Sequence, residues 1–369
     1  MITRYPFFYT LPVLFLLILI MGCKSSGSTT GVEVIPINIG NASDQMPELR
    51  VDNILKLGDD ASLFGEAFYV EDVFDRIYTL VPFGNKSFMV FSKDGKFINK
   101  VEIGDGPQPI AWPFAFNYLA IDETIWVYDQ GRQQIIVFDK DLNYVRTYTN
   151  PLPFIDFAVL NPAQLLVHSQ FKKDFLFHQV DLEQGTVIKD FLPDFPHRGS
   201  IGIGRSIAIN ERVLLIAPFD FNIYEFSPQG EVIPRYFLDF GRLNIDHSEL
   251  ESQVGMENLN QLFEEGLRIY GPHQLSEDDR WLFFKTYYRG ESLYFAYDKI
   301  RKEAINLGDY VKKGGLPKCT LFGINSASQF YGLIQPEDLI DYQNSTNRIW
   351  VDDIQLEHSP FLITFSLVP

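Results

Sequence analysis

Sulfur and histidine are scarce in this chain. Of 369 residues only Cys23 and Cys319 are cysteines and five are methionines. Two thiols cannot build a disulfide framework or a multi-cysteine zinc centre. The six histidines, at positions 168, 178, 197, 247, 273 and 358, show no short spacing that would set two of them on one metal ion. Basic residues are outnumbered, 31 Lys and Arg against 48 Asp and Glu, for a net charge of −17, so the concentrated basic patch that nucleic-acid phosphates demand is missing. Beyond Met21 no apolar run approaches the roughly 20 residues of a membrane-spanning helix, and helical periodicity is almost absent. There is no Gly-x-Ser-x-Gly elbow, His-Glu-x-x-His pair or Walker loop, and the glycines from Gly199 to Gly204 lack dinucleotide-binding spacing. What the chain does have is apolar and aromatic bulk: 46% hydrophobic, 15% aromatic, with 33 Phe and 18 Tyr. That composition excludes disorder and suits pleated, half-buried surfaces.

The first residues read as an export signal. Arg4 is the only charge before Cys23, Leu11 to Met21 is almost wholly apolar, and the small residue Gly22 precedes the cysteine. The segment Ile20 to Cys23 resembles a bacterial lipobox, in which the cysteine sulfur is lipidated and its amine becomes the new N-terminus. Phe7 to Met21 is 15 residues broken by Pro12, too short to span a bilayer. Residues 1–22 are therefore expected to be a lipoprotein signal peptide and residues 23–48 a lipid-anchored tether and lead-in. Lys24 to Gly31 has linker composition, and folding is expected to begin near Val32. Each buried lipid methylene contributes about 0.8 kcal/mol, so acyl chains on Cys23 would hold the protein at the bacterial cell envelope, with the outer membrane expected and the side left open. Cys319 is then the only free thiol, and its neighbours Thr320 to Phe322 read as a buried strand, which makes it an inert core cysteine.

From Leu49 onward short apolar runs alternate with Gly, Asp, Asn and Pro, and a repeat emerges. Phe91–Phe97, Phe138–Tyr144, Val180–Val187, Phe226–Val232 and Tyr297–Glu303 each carry an apolar strand end into a polar turn. Upstream of each lies a second apolar landmark, and a sixth, Ser328–Leu333, has no such turn after it. From Ile77 to Ile125, Leu165, Val213, Trp281 and Gln329 the steps are 48, 40, 48, 68 and 48 residues. Such spacing fits one four-stranded blade per repeat of an all-β, six-bladed β-propeller over residues 49–369. The missing last hairpin predicts closure by an N-terminal strand: Val51–Leu57 as the outer strand of blade six, beside Phe361–Phe365. The long step of 68 residues predicts a short helical insertion at about 246–267, between blades four and five. There Ser248 and Glu251 have capping-box spacing, Val254, Leu259, Leu262 and Phe263 share a helical face, and Gly266 marks the stop.

At Ile54–Leu57, Phe64–Glu66, Ile77–Tyr78, Phe91–Phe97, Gly104–Pro107 and Ile121–Asp129 the chain resembles the lipid-anchored, six-bladed, NHL-like β-propeller proteins of Bacteroidetes. The resemblance covers about residues 49–148 closely and the rest in architecture. It implies a fold and a compartment, and little chemistry, because propellers host unrelated functions.

In a propeller the connections from second to third strand, and from outer strand to the next inner strand, share one face. There the sequence places Trp112, His197, Arg198, Arg205, Tyr287, Tyr288 and Arg289, aromatic and guanidinium groups suited to sugars or anionic groups. Trp112, His197, Arg198, Arg205, Tyr288 and Arg289 are the candidate ligand-binding residues; packing between blades is the competing role for each. Asp94, Asp129, Asp139 and Asp141 read as turn-capping carboxylates. The expected function is a non-enzymatic binding or scaffold lipoprotein without cofactor. Its expected partners are the membrane through the lipid on Cys23 and a glycan or envelope protein, with no nucleic acid. The alternative is a calcium-dependent propeller hydrolase or lactonase, which would need Glu66, Asp122 and Asp156 to converge in the channel.

Overall fold

A computed structural model describes residues 31–40, 46–58, 64–65, 67–81, 87–104, 110–169, 174–193, 205–209, 212–252 and 256–368. Six sheets follow one another along the chain, each running from an inner to an outer strand, and together they form the all-β, six-bladed propeller that the spacing predicts. Blade one consists of Tyr69–Val73, Arg76–Val81, Ser87–Ser92 and Phe97–Glu102. The inner strands of blades two to six are Pro113–Leu119, Asp156–Asn161, Ile207–Ile209, Tyr270–Glu277 and Thr320–Ile324.

The reason these runs become blades is visible in their burial. Middle strands are covered on both faces: Thr124–Asp129 is buried at every position. Outer strands have one covered face, and Tyr144–Thr149 alternates between exposed and half-buried. The buried side chains of the described residues group into six apolar clusters, one in each wedge between neighbouring blades. Aromatic pairs bridge the wedges, with ring centroids 4.8 Å apart for Phe88 and Phe116 and 3.9 Å for Tyr128 and Phe154. The abundance of Phe and Tyr is thus spent between blades, where wide sheets need large side chains to fill the gap.

The ring closes as expected. Glu48–Lys56 pairs antiparallel with Phe361–Val368 and forms the outer strand of blade six, with Ile54 opposite Ile363. Its end then reaches blade one. The amide of Gly58 donates to the carbonyl of Gly95 at 2.7 Å, and Gly95, at φ +81°, sits so close that a Cβ there would lie 2.2 Å from the Lys56 carbonyl oxygen.

Three features differ from the sequence reading. First, regular structure begins near Val32 as expected, but the lead-in adds a strand the pattern does not show: Glu33–Pro36 is a fifth, parallel strand on the outer edge of blade four. It buries Ile35 and Ile37 and sends Glu33 across to Lys302 (2.7 Å) and the Tyr297 hydroxyl on blade five. A four-residue strand with one buried apolar position leaves little trace in a pattern. Second, the insertion between blades four and five contains α1 (His247–Ser252) and α2 (Met256–Glu264), but its cap is Asp246, not Ser248. The Asp246 carboxylate accepts from the Glu249 amide and the Ser248 hydroxyl, both at 2.7 Å. Leu259 and Phe263 are buried as expected, and the amides of Gly266 and Leu267 return to Phe263 and Leu262 in a Schellman stop; Val254 lies outside the described residues. Third, α3 (Gly308–Lys312) and α4 (Pro336–Thr346) occupy the approach to blade six and the gap between its second and third strands.

Truncation separates the two N-terminal strands. Removing residues 1–40 deletes Ile35 and Ile37 and is expected to leave a folded ring weakened by about 3 kcal/mol or more, at roughly 1.5 kcal/mol or more per buried isoleucine. Removing residues 1–57 uncovers the edge of Phe361–Val368 and is expected to cause aggregation. Equal thermal midpoints for the two truncations would contradict this assignment.

Candidate functional site

Every inner strand runs from the loop face, which carries the longer connections and the helices, to the turn face, which carries the tight hairpins. The channel between them holds a cavity of about 410 Å³. Its walls are the final residues of inner strands: Glu71, Asp72 and Val73 from blade one, Asn117 and Tyr118 from blade two, Ala208 and Ile209 from blade four. Blade five supplies Leu275 to Asp279, and blade six Ile324, Asn325, Ser326 and Ser328. These are the turn-face ends, so the cavity opens opposite the loops singled out in the sequence.

Arg205 closes the inner end. It precedes the shortest inner strand, and its guanidinium reaches across the channel to an ion pair with Glu71. It lies 5.1 Å above the Tyr69 ring and 5.3 Å above Phe116, and donates to the Phe116 carbonyl at 3.0 Å. A planar cation buried between two aromatic faces and one carboxylate is held rigidly. Around it most carboxylates are also committed. Asp72 pairs with Lys93 and accepts from Asn325 at 3.1 Å. Glu277 accepts from Tyr236 at 2.6 Å and Lys299 at 3.1 Å, and lies 3.7 Å from Arg235. Asp278 caps the amides of Arg280 and Trp281, while Asp279 is exposed at the rim. The mouth is therefore polar, preorganised and acidic.

The other sequence candidates are not gathered there. Trp112 is 49% exposed at the loop face of blade two, its backbone amide held by Asp129 at 2.9 Å. Tyr288 and Arg289 stand at the loop face of blade five, across the ring from Trp112. Tyr288 donates to the Gly266 carbonyl at 3.2 Å, and the Arg289 amide donates to the Phe263 carbonyl at 3.1 Å, so both secure the end of α2. Tyr287 packs on the same cluster. His197 and Arg198 lie outside the described residues. Two of the four turn carboxylates cap backbone amides as expected: Asp139 accepts from the amides of Asp141 and Asn143, and Asp129 from those of Ala111, Trp112 and Gly131, whereas Asp94 binds the Ser92 hydroxyl and Lys96, and Asp141 binds Arg76.

The carboxylates required by the calcium alternative are dispersed. Asp122 is exposed in a turn, bonded by the Thr124 hydroxyl at 2.6 Å. Asp156 is fully buried, and Glu66 lies outside the described residues. Among the described residues no group of three His, Cys, Asp or Glu side chains could hold a metal ion. Cys319 is half-buried, and burial pushes its thiol up to about 12, so it stays protonated.

Sequence reasoning missed one buried relay. Asp156 accepts from the amides of Ser206 at 2.7 Å, Ile207 at 2.8 Å and Phe157 at 2.9 Å, and from the Ser206 hydroxyl at 3.2 Å. That hydroxyl is 2.7 Å from His168 Nδ1, whose ring stacks on Phe177. The set contains Asp, Ser and His, yet each is at most 1% exposed, so no substrate reaches it. Its work is to fasten blade three to blade four. Burial raises the Asp156 carboxyl to about 7 against the backbone donors, and lowers His168 to about 3. When Asp156 is ionised, His168 Nδ1–H donates to Ser206, which donates to Asp156. When Asp156 is protonated the chain of donors reverses. A signal was present in Asp156 and His168 facing each other at opposite ends of paired strands.

Comparison with known proteins identifies the family. The family model described as Domain of unknown function (DUF4934) matches residues 59–360. The chain belongs to that family. Its fold is shared with a Bacteroides fragilis protein inferred to be exported, at 18% identity and a TM-score of 0.75, over 92% of this chain and 100% of the other. A DUF4221 family member from Bacteroides vulgatus aligns at 11% identity and a TM-score of 0.55, over 87% of this chain and 98% of the other. At those identities the likeness is one of fold. No curated protein matches the sequence. Within the described residues of this DUF4934 protein, no helix is long and apolar enough to cross a membrane.

The relay makes stability depend on pH. A carboxyl whose folded pKa is raised to about 7 stabilises fully below its unfolded value and loses that contribution as pH rises through 7. The unfolding free energy of the wild type minus that of Asp156→Asn is therefore expected to grow as pH falls from 7 to 4, by about 1.4 kcal/mol per unit. Denaturant titrations that give a constant difference would show that Asp156 does not titrate there. His168 acts oppositely, its neutral form losing stabilisation as pH falls below about 6.5, and it cancels in the comparison if unchanged by the substitution.

Proposed function

We propose that this DUF4934 protein is a cell-envelope lipoprotein, anchored through Cys23, that works as a non-enzymatic binding module for a hydroxyl-rich ligand of the glycan class. The observation that carries this reading is the channel cavity: a polar, rigid mouth of about 410 Å³ built from five blades. Concave sites with a few fixed polar groups favour recognition. Carboxylates and amides such as Asp279 and Asn325 match hydroxyl donors and acceptors, while Arg205 and Tyr118 shape the wall. The Asp156, Ser206 and His168 set is sealed from solvent, which argues against hydrolysis by that set. Trp112 and Arg289 on the opposite face define the competing location for the same function.

A glycan array followed by titration of any hit separates the two faces. Ser326 is exposed at the cavity rim, and Ser326→Trp is expected to block the mouth and weaken binding at least roughly tenfold, or about 1.4 kcal/mol. Trp112→Ala is expected to leave affinity unchanged. Loss of binding in Trp112→Ala with full binding in Ser326→Trp would move the site to the loop face, and turnover of the hit would overturn the non-enzymatic reading.

A further inference from the structure

Strand polarity at the N-terminus points to an orientation of the ring on a membrane. Glu33–Pro36 runs parallel to Val232–Asp239, with Glu33 opposite Tyr236 and Pro36 opposite Asp239. Val232 follows the hairpin of blade four on the turn face, so the chain preceding Glu33 is directed toward that face. Cys23 lies ten residues before Glu33. Ten residues reach at most about 35 Å when fully extended. A lipid on Cys23 would therefore keep the departure point of the tether, and the face it leaves from, close to the bilayer.

An independent feature of the same face fits a lipid surface. The blade-five hairpin after Tyr297 carries Lys299, Ile300, Arg301 and Lys302 in succession. Its tip projects: Ile300 is 75% exposed and Arg301 is exposed. Lys302 is the residue that holds Glu33, at 2.7 Å, so this tip stands beside the tether. Lys299 and Lys302 are held by Glu277 and Glu33, which leaves Arg301 as the cation beside Ile300 that meets anionic lipid while the isoleucine enters the headgroup boundary. Ile121, 86% exposed on the turn face of blade two, is flanked by Asp122 and Glu123 and lacks that complement.

We propose that the turn face is the membrane-facing side of the protein, with the Ile300–Arg301 tip as its contact with anionic lipid. The inference rests on the lipid anchor proposed above. It also places the channel cavity on the membrane side, because Glu277, Asp278 and Asp279 line both the channel and a smaller cleft reached by Glu33, Lys299 and Lys302. Ligand would then arrive from the bilayer side of the ring rather than from the open compartment.

The test uses the full chain, purified with its lipid from bacterial membranes and floated with vesicles of phosphatidylethanolamine and phosphatidylglycerol. An environment-sensitive fluorophore is attached at Ile300→Cys, or at Leu356→Cys on the loop face, where Leu356 is 64% exposed. Unsubstituted protein supplies the background from Cys319, whose thiol is held up at about 12. Nitroxide-labelled lipid is expected to quench position 300 roughly twofold and to leave position 356 unchanged, with the Ile300 signal weaker in vesicles lacking phosphatidylglycerol. Quenching at 356 and not at 300, or at neither in protein that floats, overturns the orientation while the anchor stands. Protein that does not float, or that floats equally as Cys23→Ala, overturns the anchor and the orientation with it.

Discussion

Everything in this fold hangs on one non-sequential contact, the meeting of blade six with blade one. Five of the six wedges join blades adjacent in the chain and form as the chain folds. The sixth joins residues near both ends: Leu57, Phe64 and Phe91 pack with Phe322, Tyr331 and Leu362. It exists only because Glu48–Lys56 leaves its own neighbourhood to become the outer strand of the last blade. Once that strand is placed, blade six has its outer strand and packs on blade one, and the inner strands are held around the channel.

The candidate site is a consequence of that closure. Arg205 can meet Glu71 only when blades one and four face each other across a completed ring, and Asn325 can bond Asp72 only when blade six lies beside blade one. The Asp156 relay fixes the neighbouring joint between blades three and four, and the Glu33–Pro36 strand braces blades four and five from outside. Polar groups thus do at the inner ends and outer rim what aromatic rings do in the wedges. The cavity inherits rigidity from all of them, which favours binding by a preformed surface over rearrangement.

Much of this was legible because blade architecture repeats. Apolar strand ends running into Asp or Gly turns gave the blade count, and the absence of a sixth hairpin gave the closing strand. The helical insertion was legible from Leu259, Phe263 and Gly266, whereas capping-box spacing points to Ser248 although Asp246 offers the same chemistry two residues earlier. The site was less legible. Aromatic and basic residues point to the loop face, but Tyr288 and Arg289 are engaged with α2, and among the described candidates only Arg205 lines the cavity. The cavity residues Glu71, Asp72 and Glu277 end strands from different blades, and no local pattern reveals that a ring will bring them together.

The central claim is that the closing strand bears directly on blade one. Gly95 and Gly185 hold corresponding hairpin positions in blades one and three, with φ +81° and +64°. Alanine at either position meets the same backbone penalty, about 1 kcal/mol. Only at Gly95 would the new Cβ strike the closing strand, at the Lys56 carbonyl; at Gly185 nothing lies within 4 Å. Urea unfolding of Gly95→Ala and Gly185→Ala should therefore give unequal losses, with Gly95→Ala larger by about 2 kcal/mol or more, in the range of overpacked sites. Equal losses would contradict the account of how this ring is closed.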